Sequence, residues 1–134
     1  MAKLATIEGI GPKISEMFAA VGIKTTEALL KRAATPAGRK ELVESTKLEM
    51  RLVSRFANHA DLMRIKGVGG EYSELLEASG VDTVPELAQR NAKNLAAKMA
   101  EVNAERKLVR QVPSESQVET WVAEAKELPR VMTY

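Results

Sequence analysis

The segment Ile7-Glu8-Gly9-Ile10-Gly11 comes back 58 residues later, position 7 to position 65, as Ile65-Lys66-Gly67-Val68-Gly69. The correspondence runs on past the glycines: Ser15-Glu16 pairs with Ser73-Glu74, Ala20 with Ala78, Gly22-Ile23 with Gly80-Val81, Thr25 with Thr83, Leu29 with Leu87 and Arg32 with Arg90. An internal repeat of this length is one supersecondary unit used twice, each copy helping to cover the other's apolar face. The chain is therefore expected to fold as two related halves, 1–59 and 60–134, packed as one compact body.

The shared pattern is apolar, any residue, Gly, apolar, Gly, and each position has a physical task. Gly9 and Gly67 let the backbone leave a short lead-in helix with φ > 0, while Gly11 and Gly69 open the next helix with no side chain in the way. Ile10 and Val68 then plug the gap between the helices. Leu4 with Ile7, and Leu62 with Ile65, give the lead-in its apolar side at i, i+3 spacing. Pro12 suits the first helical position, where no backbone N–H is lost. The tip of such a turn is a cluster of free amides at a helix N-terminus, a ready place for a phosphate oxygen.

Between and after the turns the chain reads as helix. Thr25 predicts a cap for a helix through Ala33, and Thr35-Pro36 the start of another through about Glu44. Thr46 with Glu49 predicts a capping box for a longer helix to about His59, with Leu48, Leu52, Val53, Phe56 and Ala60 on its apolar face. Thr83 with Glu86 is again a capping box, and Asn91 and Asn103 read as N-caps of helices near 92–102 and 104–111. Pro113 ends the latter, and Ser114 with Gln117 caps a last helix through about Glu127. Val53, Phe56 and Ala60 match Val118, Trp121 and Ala125 at a shift of 65 (56 to 121), so the second copy has gained residues near Pro113. No segment alternates apolar and polar residues, and the tail from Pro129 to Tyr134 reads as unstructured or draped. The fold class is all-α, two tandem repeats of about five short helices each.

The glycine pattern resembles the helix-hairpin-helix motif of non-sequence-specific DNA-binding proteins such as repair ligases, polymerases and Holliday-junction proteins, within a SAM-like (sterile-alpha-motif-like) architecture. Nearly the whole chain also resembles a small bacterial family catalogued as a domain of unknown function, number four thousand three hundred and thirty-two. That second resemblance is carried by the stretch from Ala60 to Gly69, by Gly80-Val81-Asp82-Thr83-Val84-Pro85-Glu86-Leu87-Ala88-Gln89-Arg90-Asn91, and by Ala125-Lys126-Glu127-Leu128-Pro129-Arg130. The motif implies contact with the duplex phosphate backbone; the family implies no activity. In double helix-hairpin-helix DNA binders the two hairpins usually lie nearer in sequence than 58 residues, so a joint grip on one duplex does not follow here.

Charge separates the two turns. The chain's net charge is +2, modest for a nucleic-acid binder. Residues 1–60 carry 10 basic and 6 acidic side chains, residues 61–134 carry 10 and 12, so the basic character lies with the first turn. Lys13 follows Gly11 by two residues, where a cation would flank a bound phosphate, and the corresponding residue after Gly69 is Glu71. Lys66 and Arg64, before the second turn, partly compensate. The expected phosphate-binding residues are Gly9, Gly11 and Lys13, with Gly67, Gly69 and Lys66 in the second copy; the bland account is a pair of tight αα-corners with no ligand. Lys47, Arg51 and Arg55 recur every four residues as a basic stripe, which either tracks phosphates or is a solvated helix face. Arg106, Lys107 and Arg110 form a smaller patch open to the same two accounts.

Little here suggests catalysis. The single histidine, His59, stands beside Asp61 near a helix end and reads as a capping or surface residue. The carboxylates lack the clustering of a metal site, no nucleophile has an adjacent base, and neither cofactor nor metal is expected. Phe18, Phe56, Tyr72 and Trp121 fall at apolar helix positions and read as core, which leaves no platform for stacking single-stranded bases. The absence of cysteine suits a reducing compartment, and without a leader or membrane span the protein is expected to be cytoplasmic. Two readings follow: a non-enzymatic accessory protein that grips duplex DNA without reading sequence, or a protein-interaction module or homodimer with no nucleic-acid role and no small-molecule substrate.

Overall fold

The computed structural model describes residues 2–134. Among these residues there are eight α-helices and no strand, the all-α class expected from the absence of period-two patterning. The helices are α1 (Pro12–Ala19), α2 (Thr26–Ala33), α3 (Pro36–Thr46), α4 (Met50–Leu62), α5 (Gly70–Ala78), α6 (Val84–Ala88), α7 (Ala92–Arg106) and α8 (Glu115–Glu127), preceded by a single 3-10 turn at Leu4–Thr6. They form two compact units, Met1–Asp61 with Val131–Tyr134, and Leu62–Arg130. The division at 59/60 expected from the repeat thus falls two residues later, and the last four residues belong to the first unit instead of the second.

In the first unit, the N-terminal strip is tied to the start of α2 by an isolated antiparallel bridge between Lys3 and Thr25 and by the Thr26 amide donating to the Ala2 carbonyl (3.1 Å). Leu4, Ile7, Ile10, Phe18, Leu29 and Phe56 are among its fully buried apolar residues, and Phe18 meets Phe56 edge-on at 6.4 Å. In the first turn of α2 the Glu27 carboxyl is held below the ordinary carboxylate range by its own backbone N–H, with the Thr26 hydroxyl adding to the effect. In the second unit α8 packs on α6 and α7, and α5 packs on α7. Its core joins Leu62, Ile65 and Val68 to Leu75, Leu95, Met99 and Trp121. That unit has four helices of its own, and Leu62 at the end of α4 does the work of the lead-in expected as a fifth.

Four helices start where a side chain was expected to cap them. Thr25, Thr35, Asn91 and Ser114 accept the amides of Ala28, Gly38, Asn94 and Gln117 at 3.0–3.1 Å, satisfying donors that the helix itself leaves unpaired. At Thr83 the box is half formed: Glu86 reaches back to the Asp82 amide (3.3 Å) and to the Thr83 hydroxyl (3.2 Å).

Two expected caps are not caps. The Thr46 hydroxyl donates to the Leu42 carbonyl at 2.6 Å, so Thr46 closes α3 and α4 begins only at Met50. Asn103 lies inside α7, which runs unbroken to Arg106, and its amide group exchanges two hydrogen bonds with Val109 (2.9 and 3.1 Å), pinning the loop that follows. No helix occupies 104–111 as a separate element.

The tail from Pro129 to Tyr134 is non-helical but anchored. Met132 is buried, the Thr133 amide donates to the Ala34 carbonyl (2.9 Å), and the buried Arg39 guanidinium donates to the carbonyls of Ala33 (2.8 Å), Ala34 (3.2 Å) and Thr133 (2.6 Å). The Tyr134 ring stacks on that guanidinium at 4.3 Å and its hydroxyl donates to Asn58.

Candidate functional site

The two glycine turns are built alike, bond for bond. Ile10 and Val68 donate to the carbonyls of Ile7 and Ile65 at 3.2 and 3.1 Å, and Ser15 and Ser73 to those of Gly11 and Gly69, both at 2.9 Å. Gly9 and Gly67 have φ of 95° and 91°, which a residue with a Cβ adopts only under strain. A Cβ there would also stand 3.3 Å from the Phe56 ring and 3.4 Å from the Trp121 indole nitrogen. The aromatic pair matched in sequence at a shift of 65 therefore sits under the glycine pair matched at 58. Ile10 and Val68 are 4 % and 5 % exposed, the inward plugs that the alternation of apolar residue and glycine requires. Both following helices end in the same Schellman arrangement, with Ile23 donating to Phe18 and Val81 to Leu76 at 2.9 Å around Gly22 and Gly80.

Gly11 and Gly69 differ from Gly9 and Gly67. They are the N-caps of α1 and α5 with extended backbone (φ −90° and −105°), and a Cβ on either would meet nothing within 4 Å. The fold therefore does not demand glycine at these two positions. What glycine does there is leave the first amides of the helix bare: neither α1 nor α5 has a side-chain cap, unlike α2, α3, α7 and α8. Gly9, Gly11 and Lys13 are all exposed, so the amides of the α1 N-terminus and the Lys13 ammonium face solvent together.

The second turn has different surroundings. Glu71 lies in the first turn of α5 where α1 has Lys13, and the Lys66 amide donates to both carboxylate oxygens of Glu124, at 3.1 and 3.2 Å. Glu124 is a site residue that sequence reading missed. Its signal lies in the register of the last helix, one turn past Trp121. Arg64 is drawn off as well, donating to the Pro129 carbonyl at 2.7 Å.

The expected basic stripe is not a single helical face. Lys47 is the left-handed C-cap of α3 (φ 67°), outside α4, so its register with Arg51 and Arg55 is lost. Arg51 is exposed and near Glu49 (3.5 Å), while Arg55 is half-buried. Arg106, Lys107 and Arg110 are exposed around the C-terminus of α7, with Lys107 in the same left-handed conformation (φ 51°). His59, expected as a capping or surface residue, is fully buried together with Asp61. No cluster of three or more metal-ligating side chains occurs among the described residues, and none of their helices is long and apolar enough to cross a membrane. A groove of about 490 Å³ in the second unit mixes Arg90 and Lys126 with Glu119 and Glu127.

A sequence profile described as Domain of unknown function (DUF4332) matches residues 8–128, from the first glycine turn to the end of the last helix. The chain belongs to that family. No curated protein and no solved structure gives a match. Both glycine turns and both aromatic partners lie within the stretch that defines membership.

Proposed function

We propose that the chain is a non-enzymatic, helix-hairpin-helix protein that holds the backbone of duplex DNA without reading its sequence, through the first glycine turn. The observation that carries this reading is the N-terminus of α1. Gly11 caps it with no side chain, no neighbour forces that glycine, and Lys13 stands exposed one residue into the helix. Bare amides at the positive end of a helix attract an anion, and a flanking ammonium adds a second contact. The same turns serve a protein-interaction module equally well as corners, and the modest net charge and Glu71 favour that second reading.

Titrating labelled duplex, single-stranded and junction DNA at two salt concentrations separates the two readings. Duplex binding should weaken steeply with salt, and Lys13→Glu should lower the log–log slope by about 0.9, the value of one lost phosphate contact. Its stability should change by no more than about 0.5 kcal/mol, as for most surface substitutions. Absence of duplex affinity at low salt, where electrostatic binding is strongest, would hand the case to protein partners.

A further inference from the structure

The seat of residues Val131–Tyr134 on the first unit has the features of a peptide-binding site. Its receptor side is fixed without the tail: Arg39 of α3 is buried and its Nη1 donates to the carbonyls of Ala33 and Ala34 at 2.8 and 3.2 Å, groups at the C-terminus of α2 that lack intrahelical partners. That leaves Nη2 aimed at the Thr133 carbonyl (2.6 Å), while the Ala34 carbonyl accepts the Thr133 amide (2.9 Å). Both backbone groups of one residue are thus read, as when a strand is added to a sheet edge. Met132 is buried and the Tyr134 ring lies on the guanidinium with its hydroxyl on Asn58 of α4, whereas Thr133 between them is exposed. Side chains of alternate residues therefore carry the apolar contact, the pattern of an extended segment. The Thr133 hydroxyl adds only a long contact with Ala34, at 3.4 Å.

We infer that Arg39, the C-terminus of α2 and Asn58 form a peptide-accepting seat for the sequence methionine, any residue, tyrosine, and that Val131–Tyr134 is its resident, detachable ligand. Backbone pairing through Arg39 and Ala34 holds any residue in the middle, and the flanking side chains select the peptide. Detachment exposes little apart from Met132, since Pro129, Arg130, Thr133 and Tyr134 already face solvent. The seat takes a segment of this chemistry from another molecule whenever its own tail lifts. It stands apart from the glycine turns, and its failure would leave the reading of the first turn as it was.

The test has two arms, both on the full chain. Hydrogen exchange of the wild type should show the Thr133 amide opening locally, at a rate that mild denaturant leaves nearly unchanged, while the Phe56 amide inside α4 exchanges only with global unfolding. In the second arm, Met132→Asp and Thr133→Pro free the seat, and a fluorescein-labelled peptide of residues 129–134 is titrated against each by anisotropy. Both variants should bind it saturably. The wild type should bind at least about tenfold more weakly, because its tethered tail competes at an effective concentration on the order of millimolar. A peptide with Asp in place of the methionine should lose about ten- to hundredfold in affinity, the worth of one buried side chain, and one with Ala in place of the threonine should bind as the parent does. A Thr133 amide as protected as that of Phe56 would overturn the inference, as would folded variants that take no peptide or that take the Asp-bearing peptide equally well. Failure of both variants to fold would overturn it too, for the tail would then be core and not ligand.

Discussion

Gly9 and Gly67 bend the chain through nearly the same left-handed angle over an aromatic ring, yet the first turn opens onto Lys13 and bare amides, and the second onto Glu71 and the Glu124 carboxylate. Backbone geometry and surface charge are thus separable in this molecule. The glycine that the fold needs stands first in each turn, and the glycine that the fold does not need stands second. Two residues past the second glycine the copies differ in charge, Lys13 in one and Glu71 in the other. A duplicated corner can keep its architecture under one set of constraints while its surface changes under another.

The strongest challenge to the structural equivalence is truncation of the paired aromatics. Phe56→Ala and Trp121→Ala should each cost about 3–5 kcal/mol, because both rings are buried and both support a turn. Chemical denaturation of the two variants measures this. A loss in one unit with the other variant unaffected would break the equivalence. Trp121 is the only tryptophan and 2 % exposed, so native emission should be blue-shifted and move red on unfolding.

A smaller effect is expected at the first glycine of each turn. Gly9→Ala and Gly67→Ala place a Cβ in the left-handed region, at about 1–2 kcal/mol, plus contact with the ring beneath. Thermal melts should show similar losses for both, since the two angles and ring distances nearly coincide.

Smallest of all should be the stability effect at the second glycine. Gly11→Ala and Gly69→Ala have ordinary φ and open space, so they should stay within about 0.5 kcal/mol of the wild type. Duplex affinity, measured in the same preparations, should fall for Gly11→Ala, where a methyl group crowds the amides, and hold for Gly69→Ala. Equal behaviour of the two in binding would erase the functional half of the comparison.

Much of this scaffold was legible in the sequence because its signals are local. Thr25, Thr35, Asn91 and Ser114 cap helices through side chains three residues from their targets, and Gly9 and Gly67 mark left-handed turns that few other residues tolerate. The misreadings arose where a local pattern competes with burial. Thr46 with Glu49 fits a capping box, but a buried threonine hydroxyl one turn below Leu42 finds a carbonyl first. Asn103 reads as a cap until Val109 offers it both a donor and an acceptor. The stripe from Lys47 to Arg55 assumed a helix that starts three residues later than the assumption needs, and His59 and Asp61 are buried by packing that no periodicity announces. In the turns, the left-handed glycines were legible, whereas the contact of Glu124 was not, because its partner is an amide 58 residues away in sequence.

The tail held by Arg39 has a bearing on how the molecule is made. Residues 62–130 form the second unit, and Val131–Tyr134 complete the first, so the ribosome finishes the second unit before it has supplied the last pieces of the one it began. Until then the Arg39 guanidinium lacks the Thr133 carbonyl and the Tyr134 ring, and the pocket that takes Met132 stands open. Synthesis from the N-terminus therefore does not translate into folding in the same order: the half that emerges first is the half that is sealed last.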